Sequence, residues 1–342
     1  MKYIKKLPDA DELISEYSLT DEQKQNRLNY LKNIENILSG KDKRKLLIIG
    51  PCSADREDAV LEYTNRLAGL QAEVADCFLI VPRVYTSKPR TNGLGYKGLL
   101  HNPDSWNTQE DIMAGIIATR KMHLHVVQQT GFFAADEMLY PDSIYYTMDL
   151  LAYLAVGARS VEDQFHRMAA SGVKLPVGLK NPTSGDFSTL LNAISAAKHS
   201  YHMMYRGWEV QTEGNPFAHA VLRGYMDKGG RMHSNYHYEN LCELYDAYRE
   251  YNIGNAAVVI DCNHCNSGKN YLEQIRIAKE VLYNCHNNSI LNNFFKGLMI
   301  ESYLEDGKQL VGGNVYGQSI TDSCLGWTKT ERLIREMAEF IS

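Results

Sequence analysis

The chain has 342 residues, of which 44% are hydrophobic and 23% are charged, and its formal net charge is −5 at pH 7. This composition supports a buried core, whereas the net negative charge argues against a general nucleic-acid binder. No apolar run approaches the roughly 18 residues of a membrane span, and residues 1–6 lack the apolar stretch of a signal peptide, so we expect a cytoplasmic protein that binds neither nucleic acid nor membrane.

Residues 1–42 have the pattern of a helical extension. The segment from Thr20 to Gln23 has the form of a capping box, which marks the start of a helix. Apolar residues then recur at helical spacing, and Gly40 is a plausible stop; these residues are Leu28, Leu31, Ile34, Ile37 and Leu38. Two interpretations stay open for this helix: it packs against the rest of its own chain, or it forms a subunit contact.

From residue 45 onward, short apolar runs alternate with stretches long enough for helices. Eight runs are predicted to be buried strands, at residues 46–49, 78–81, 132–135, 156–158, 176–179, 202–204, 256–260 and 297–300. Apolar strands separated by helices indicate a parallel sheet covered on its outer face, and eight such units predict an α/β fold, a (β/α)₈ TIM barrel, over residues 43–342. A doubly wound open sheet is the alternative, but no GxGxxG motif follows the first strand.

Charged residues follow nearly every predicted strand, and in a barrel these positions share one mouth, where the active site lies. The cationic members are Arg83, Lys88, Arg90, Arg159, Lys180 and Arg223. So many cations at one mouth of an acidic protein predict a small polyanionic ligand. A ring of surface ion pairs is the alternative. It is less favoured because Arg83, Arg159 and Lys180 end apolar runs, so their stems should be partly buried, and a buried cation needs an anion.

A second set at the mouth has the chemistry of a metal site. Its members are Cys52, His264, Glu301 and Asp322. One thiolate, one imidazole and two carboxylates suit a borderline divalent ion such as Mn²⁺, Fe²⁺, Co²⁺ or Zn²⁺. Taken singly, Cys52 could be a small buried apolar residue and His264 a core histidine. The seven cysteines are scattered through the chain, so we expect reduced thiols rather than a disulfide framework.

Several motifs occur in the order found in a known family. They are Gly50-Pro51-Cys52-Ser53, Lys88-Pro89-Arg90-Thr91, Gly157-Ala158-Arg159, Gly178-Leu179-Lys180-Asn181, Leu222-Arg223-Gly224, Asp261-Cys262-Asn263-His264, Glu301-Ser302 and Ile320-Thr321-Asp322. From about residue 12 to the C-terminus, the chain resembles the short microbial class I 3-deoxy-D-arabino-heptulosonate 7-phosphate (DAHP) synthases. Enzymes of this family are transferases that condense phosphoenolpyruvate with D-erythrose 4-phosphate in the first step of the shikimate pathway, which leads to the aromatic amino acids.

The resemblance assigns roles to the residues of both sets. It implies that Cys52, His264, Glu301 and Asp322 bind the divalent metal, and that Arg83, Lys88, Arg159, Lys180 and Arg223 bind phosphoenolpyruvate. Arg90 and Thr91 would anchor the phosphate of erythrose 4-phosphate. The residues expected to take part in catalysis are Lys88, Arg83, Glu137 and Asp322. Either Lys88 or a metal-linked group would shuttle protons, and Glu137 would position water. A homodimer or homotetramer is implied, with residues 1–42 as contact material.

The chain departs from the family pattern at several positions, two of which bear on the site and its regulation. Asp136 replaces a small residue that often precedes the glutamate, and the loop over residues 139–145 does not match the loop of members inhibited by aromatic amino acids. Feedback inhibition is therefore expected to be absent or of altered specificity. Two other functions stay open: a 3-deoxy-octulosonate 8-phosphate synthase, which usually lacks the Lys-Pro-Arg-Thr motif, and a non-catalytic sensor of phosphorylated metabolites.

Overall fold

The computed structural model describes residues 1–90, 93–104 and 109–342. Its strands are β1 (Lys45–Gly50), β2 (Phe78–Pro82), β3 (Ala134–Glu137), β4 (Leu151–Val156), β5 (Val177–Lys180), β6 (His202–Tyr205), β7 (Trp208–Gln211), β8 (His219–Leu222), β9 (Tyr225–Met226), β10 (Met232–His233), β11 (Val258–Asp261) and β12 (Phe295–Glu301). Its helices are α1 (Ala10–Glu16), α2 (Asp21–Leu38), α3 (Glu57–Glu73), α4 (Ile112–Thr130), α5 (Gln164–Gly172), α6 (Phe187–Lys198), α7 (Tyr238–Glu250), α8 (Glu273–His286), α9 (Ser289–Phe294) and α10 (Trp327–Ile341). Two 3₁₀ turns, Pro141–Tyr146 and Met148–Leu150, join β3 to β4.

Eight of these strands form one parallel sheet in the order β2-β1-β12-β11-β8-β5-β4-β3. A parallel bridge between Arg83 and Ala135 brings the two edge strands together, and the amide of Val84 donates to the carbonyl of Ala135 at 2.9 Å. The sheet therefore closes on itself. The predicted (β/α)₈ barrel is confirmed, and an open doubly wound sheet is excluded.

The sixth strand of the barrel was predicted wrongly. The predicted segment, residues 202–204, belongs to β6, which pairs antiparallel with β7 in a separate hairpin. Met204 in this hairpin is 87% exposed. The barrel strand is β8, which is fully buried and lies between β5 and β11. Arg223 therefore follows the sixth strand directly instead of lying in a long polar loop.

Two other strands are shifted along the chain. The third strand begins two residues later than predicted, so Asp136 and Glu137 lie inside β3 and not after it. The fourth strand ends at Val156, so Arg159 lies in the turn beyond β4 and its side chain is exposed. Its predicted partly buried stem is wrong for this reason, whereas Arg83 and Lys180 are 1% and 3% exposed.

The helix α2 covers the amino-terminal ends of the strands. It begins with the predicted capping box, in which the Thr20 side chain and the Gln23 side chain each bond the other's backbone amide. Leu31, Ile34, Ile37 and Leu38 are buried in the main hydrophobic core. The Tyr30 hydroxyl donates to the carbonyl of Ile80 in β2. Thus α2 shares the core of the barrel through one face. Within the part of the chain that the structure describes, no helix combines the length and apolarity that crossing a bilayer requires.

Candidate active site

The carboxyl ends of the barrel strands surround a cavity of about 400 Å³. Eleven of the twelve site residues predicted from the sequence line it: Cys52, Arg83, Lys88, Arg90, Glu137, Arg159, Lys180, Arg223, His264, Glu301 and Asp322. The twelfth, Thr91, lies outside the described residues. Side chains that are 270 positions apart in the sequence thus meet at one mouth, as the barrel fold requires.

Arg83 is the most deeply buried cation of the site. Its Nη2 donates to Glu301 Oε1 at 3.0 Å, and both side chains are almost fully buried. Its Nε and Nη1 are also buried, but they have no hydrogen-bond partner among the described residues. Buried donors are nearly always paired, and a buried charge needs compensation. Two donors of this buried guanidinium therefore remain for a bound water molecule or a ligand.

Lys180 lies among carboxylates deeper in the barrel. Its Nζ is 3.6 Å from Glu137 Oε2 and 3.6 Å from Asp261 Oδ2. Burial by itself would raise the pKa of Glu137, but Lys180, Lys88 and Arg83 outweigh it and hold that pKa below its usual range. Gly157 makes room for this carboxylate, because a Cβ at that position would lie 2.8 Å from Glu137 Oε1. Glu137 is thus held as an anion at the cavity wall.

Three of the cations surround one aromatic ring. The guanidinium of Arg83 lies 4.1 Å from the centroid of the Tyr85 ring, and Lys88 and Lys180 lie 5.4 and 5.7 Å from it. A tyrosine face attracts cations at these distances. The fully buried ring therefore helps to hold together three positive charges that would otherwise repel each other.

The remaining cations lie nearer the rim of the cavity. The Nε of Arg90 donates to the carbonyl of Tyr96 at 2.7 Å, and the Nη1 of Arg223 lies 3.8 Å from Cys265 Sγ. For Arg159, the described residues provide no ion pair or hydrogen bond. All three guanidinium groups keep donors available for a ligand in the cavity.

The predicted metal ligands fall into a trio with a fourth residue beside it. Cys52, Glu301 and Asp322 each place a donor atom within 4.8 Å of the others, a spacing that one ion with bonds of about 2.0–2.3 Å can bridge after small adjustments. The Nε2 of His264 is 3.9 Å from Glu301 Oε1. His264 has a left-handed backbone, with φ of 57°. Such strain in a residue other than glycine is typical of functional sites.

Neighbouring groups orient these donors. Glu301 Oε2 accepts from Asn263 Nδ2 at 2.5 Å. The Gln274 side chain both accepts from the Glu301 amide and donates to the Glu301 carbonyl, at 2.8 and 2.9 Å. The Nδ1 of His264 lies 2.9 Å from Asp261 Oδ2, an ion-pair contact that lacks the geometry of a hydrogen bond, and its Nε2 lies on the side of Glu301. A carboxylate behind an imidazole is the usual support for a ligating histidine.

The electrostatics of the trio fit a divalent cation. Burial raises the pKa of the Cys52 thiol, and Glu301 raises it further, although Lys88 acts in the opposite direction with its Nζ 3.2 Å from Cys52 Sγ. Burial opposes ionisation of Asp322 too, but His264, Lys269 and Lys88 lower its pKa. A cation among these donors would displace the thiol proton and compensate the carboxylates. The residues present therefore fit a metal ion.

Sequence reasoning missed three contributors to the site. Tyr85 was not singled out because an aromatic residue after a strand is ordinary core material. Asp261 ends the seventh strand, as the predicted residues end theirs, and this position was the signal that could have found it. Lys269 lines the cavity, and its Nζ is 3.9 Å from Asp322 Oδ1. No pattern in the sequence marks Lys269, because it lies in an irregular turn after β11.

Fold and site together define a (β/α)₈-barrel protein whose mouth combines a group of cations with a set of donors that fits a divalent metal. The chain matches the DAHP synthetase I family over residues 18–335. It therefore belongs to this family, and the resemblance found in its motifs is confirmed.

Individual relatives extend over nearly the whole chain. The Tyr-sensitive phospho-2-dehydro-3-deoxyheptonate aldolase of Escherichia coli (strain K12) is 35% identical over 336 residues, which are 96% of this chain and 91% of the relative. The Trp-sensitive one of Escherichia coli O157:H7 is 37% identical over 318 residues, 91% of this chain and 88% of the relative. The solved structure of the aldolase of that name from Francisella tularensis SCHU S4 superposes with a TM-score of 0.90 at 31% identity, and covers 99% of this chain and 98% of its own.

Proposed function

We propose that this chain is a DAHP synthase, which condenses phosphoenolpyruvate with D-erythrose 4-phosphate and releases inorganic phosphate. The observation that carries the proposal is the shared cavity, which Arg83, Lys88 and Lys180 line together with the trio of metal-competent donors, while two donors of the buried Arg83 guanidinium have no partner among the described residues. An anionic substrate satisfies these donors, and an adjacent metal suits a carbonyl substrate.

Phosphoenolpyruvate is assigned to the inner part of the cavity. Arg83 offers donors in fixed planar geometry, and Lys88 and Lys180 add point charges 5.4 and 5.7 Å from the centroid of the Tyr85 ring. Arg159 and Arg223 complete the set at the rim. A phosphate and a carboxylate carry several negative charges between them, so five cations around one site offset their repulsion and orient the enol carbon.

Erythrose 4-phosphate is assigned to the outer part of the cavity, at Arg90. Thr91, the next residue of the Lys-Pro-Arg-Thr motif, lies outside the described residues. The Nε of Arg90 donates to the Tyr96 carbonyl, and among the described residues its two terminal nitrogens have no partner, so we assign them to the sugar phosphate. With its phosphate at the rim, the aldehyde end of the four-carbon sugar extends inward, toward the trio and the enol carbon of the first substrate.

The chemistry that follows needs a polarised aldehyde, a proton donor and a water molecule. Cys52, His264, Glu301 and Asp322 would hold a divalent ion, for which Mn²⁺, Fe²⁺, Co²⁺ and Zn²⁺ are the candidates, and the ion when bound supplies Lewis-acid polarisation of the aldehyde. A carbon–carbon bond forms between C3 of phosphoenolpyruvate and C1 of the sugar. Lys88, whose Nζ lies 3.2 Å from Cys52 Sγ, is placed to protonate the former aldehyde oxygen.

The second half of the reaction takes place at C2 of the former phosphoenolpyruvate, which becomes electron-deficient when the new bond forms. Water adds at C2 and loses one proton, which gives a hemiketal phosphate. Its C2–O(phosphate) bond then breaks while the C2 hydroxyl gives its proton to the departing phosphate, so that a ketone and inorganic phosphate are formed. Glu137 is an anion at the cavity wall beside Lys180. We assign it the role of orienting this water, because a carboxylate both accepts a hydrogen bond from water and stabilises positive charge at C2.

A turnover assay tests the proposal. Purified protein is mixed with phosphoenolpyruvate and erythrose 4-phosphate, with Mn²⁺ in one tube and excess chelator in the other, and arabinose 5-phosphate replaces the sugar in a parallel series. Phosphate release and loss of enol absorbance are both followed. We expect metal-dependent consumption with the four-carbon sugar alone. Turnover with arabinose 5-phosphate would instead indicate an octulosonate phosphate synthase, and folded, metal-loaded protein that turns over neither sugar would indicate a sensor.

We also propose a cytoplasmic homodimer or homotetramer with residues 1–42 in its contacts. Several apolar side chains near the chain start are exposed although α2 buries its other face; they are Tyr3, Ile4 and Leu28. Sedimentation velocity of the full chain measures the subunit number, and a monomer at micromolar concentration would refute the proposal.

A further inference from the structure

Asp136 is a buried carboxylate that lies next to Glu137 but outside the lining of the cavity. Its Oδ1 accepts hydrogen bonds from the amides of Thr86 and Glu137, at 2.9 and 2.7 Å. Its Oδ2 accepts from the Thr86 hydroxyl at 2.6 Å. The carboxylate therefore holds Thr86 through both its backbone and its side chain.

A histidine completes this cluster from the outer layer of the barrel. The Nε2 of His123, on α4, lies 3.1 Å from Asp136 Oδ2, and the His123 side chain is fully buried. Its Nδ1 has no partner in the described parts of the chain, so the only polar contact of the ring is the one to Asp136. The carboxylate thus joins three elements: the segment after β2, the strand β3 and the helix α4.

The segment held by Asp136 carries Lys88. Thr86 lies two residues before Lys88, and the Thr86 carbonyl accepts from the amide of Leu100 at 3.0 Å. The Lys88 amide donates to the carbonyl of Lys97 at 2.9 Å. These bonds tie one edge of the segment to the following loop. Asp136 supplies the bonds on the other edge, and they connect the segment to the strand that bears Glu137.

We propose that Asp136, acting with Thr86 and His123, is a positioning residue that fixes Lys88 relative to Glu137. This inference rests on the proposed function, in which Lys88 donates a proton and Glu137 orients water. The two groups must keep their spacing while two substrates and a metal bind between them. A hydrogen-bonded carboxylate is suited to this task because four groups contact its two oxygens: the amides of Thr86 and Glu137, the Thr86 hydroxyl and the His123 ring. An apolar side chain in its place would leave the Thr86 amide unpaired.

Replacing the Asp136 carboxylate by an amide tests whether its bonds to Thr86 and His123 are needed. In Asp136→Asn, one oxygen still accepts the two amides, but the new NH₂ group faces the Thr86 hydroxyl and His123, which both donate to the present oxygen. Thr86→Val removes the hydroxyl alone, and Thr86→Ser keeps it. Because displacing a reacting group by about 1 Å can lower a rate by roughly 10²-fold, we expect kcat to fall about 10- to 100-fold in Asp136→Asn and Thr86→Val, and far less in Thr86→Ser.

The Michaelis constants separate positioning from general damage. Lys88 is assigned to phosphoenolpyruvate and lies two residues from Thr86, whereas Arg90 lies two residues farther along and its side chain is also bonded to the Tyr96 carbonyl. The KM for phosphoenolpyruvate should therefore rise more than that for erythrose 4-phosphate. Asp149→Asn is the matched control, since Asp149 accepts two bonds from the buried Arg120 away from the cavity, at 2.8 and 2.9 Å. It should lower Tm and leave kcat unchanged.

Each outcome has one meaning. Wild-type kcat and KM in both Asp136→Asn and Thr86→Val would overturn the positioning role, and so would losses of activity that merely follow the losses in Tm across all variants. Failure of the proposed function is seen separately, as absence of turnover by the wild-type protein. In that event calorimetric titration of the same variants with phosphoenolpyruvate still tests the inference, because a displaced Lys88 weakens binding and an unaffected one does not.

Discussion

Replacing Arg83 by lysine tests whether its unpaired donors exist for a ligand. Lysine keeps the positive charge but not the planar fork, so one ammonium group cannot serve both Glu301 and an anion as Nη2, Nη1 and Nε do in the wild-type geometry. A hydrogen bond to a charged group contributes about 1.5–3 kcal/mol. Losing one to two of them costs about 3 kcal/mol, or roughly a hundredfold in the Kd for phosphoenolpyruvate.

Thermal unfolding with and without phosphoenolpyruvate measures this loss without turnover. At a concentration 100 times the wild-type Kd, binding stabilises the wild-type protein by about 2.7 kcal/mol. A variant that binds a hundredfold more weakly gains only about 0.4 kcal/mol at the same concentration. The ligand-induced rise in Tm should therefore fall to less than a fifth in Arg83→Lys.

The control is Arg276→Lys, which makes the same substitution on the surface of α8, where Arg276 pairs with Glu273 and Glu280. It should keep the full ligand-induced shift. A full ligand-induced rise in Tm in Arg83→Lys would refute the reasoning, because Nε and Nη1 of Arg83 would then have no part in binding the anion. A lower unliganded Tm in Arg83→Lys would report only the altered contact with Glu301.

Four further outcomes are expected. Tyr85→Leu should raise the KM for phosphoenolpyruvate about tenfold more than Tyr85→Phe does. The three cation–π contacts need the aromatic ring, and each is worth about 0.5–2 kcal/mol. Among the described residues, the Tyr85 hydroxyl bonds only to a methionine sulfur at 3.8 Å. Gln274→Ala should destabilise the fold by about 2 kcal/mol in urea unfolding, because two buried bonds to the Glu301 backbone are lost. Burial lowers the pKa of His219 to about 4. Between about pH 6.5 and 4, His219 is therefore protonated in the unfolded chain but not in the folded one. The free energy of unfolding should fall by up to about 1.4 kcal/mol for each pH unit over this range as the pH is lowered. Urea titrations of His219→Gln should lack this pH-dependent component. Finally, adding Phe, Tyr or Trp to the turnover assay tests the divergent loop at residues 139–145, and strong inhibition by any one of them would rule out an enzyme without feedback control.

The sequence was sufficient to place the site because a parallel barrel brings the residues after every strand to one mouth. Arg83, Lys180 and Glu301 needed only a strand boundary correct to within one or two residues. The sixth strand shows where this reasoning fails. His202–Tyr205 is as apolar as a short barrel strand, but it pairs with β7 in an exposed hairpin. The run Ala220-Val221-Leu222 directly before Arg223 was the better signal, since it repeats the pattern of an apolar run followed by a cation.

Interactions between distant residues were beyond prediction for another reason. Asp136 was visible as a departure from the family pattern, but its partners Thr86 and His123 lie 50 and 13 residues away and belong to different elements. No periodicity connects them. The exposure of Arg159 likewise depends on where β4 ends in three dimensions, and a run of apolar letters does not mark that point.

The pairing of β1 with β12 determines when the site can form during synthesis and folding of the chain. The loop between Cys52 and Asp322 encloses 270 positions, so the trio is completed only after nearly the whole chain has left the ribosome and the barrel has closed. Closing so long a loop is slow and entropically costly. An ion bound by Cys52, Glu301 and Asp322 would therefore link the two ends of the polypeptide at a late stage of folding. Chains that lack the segment with Glu301 and Asp322 would be unable to bind it.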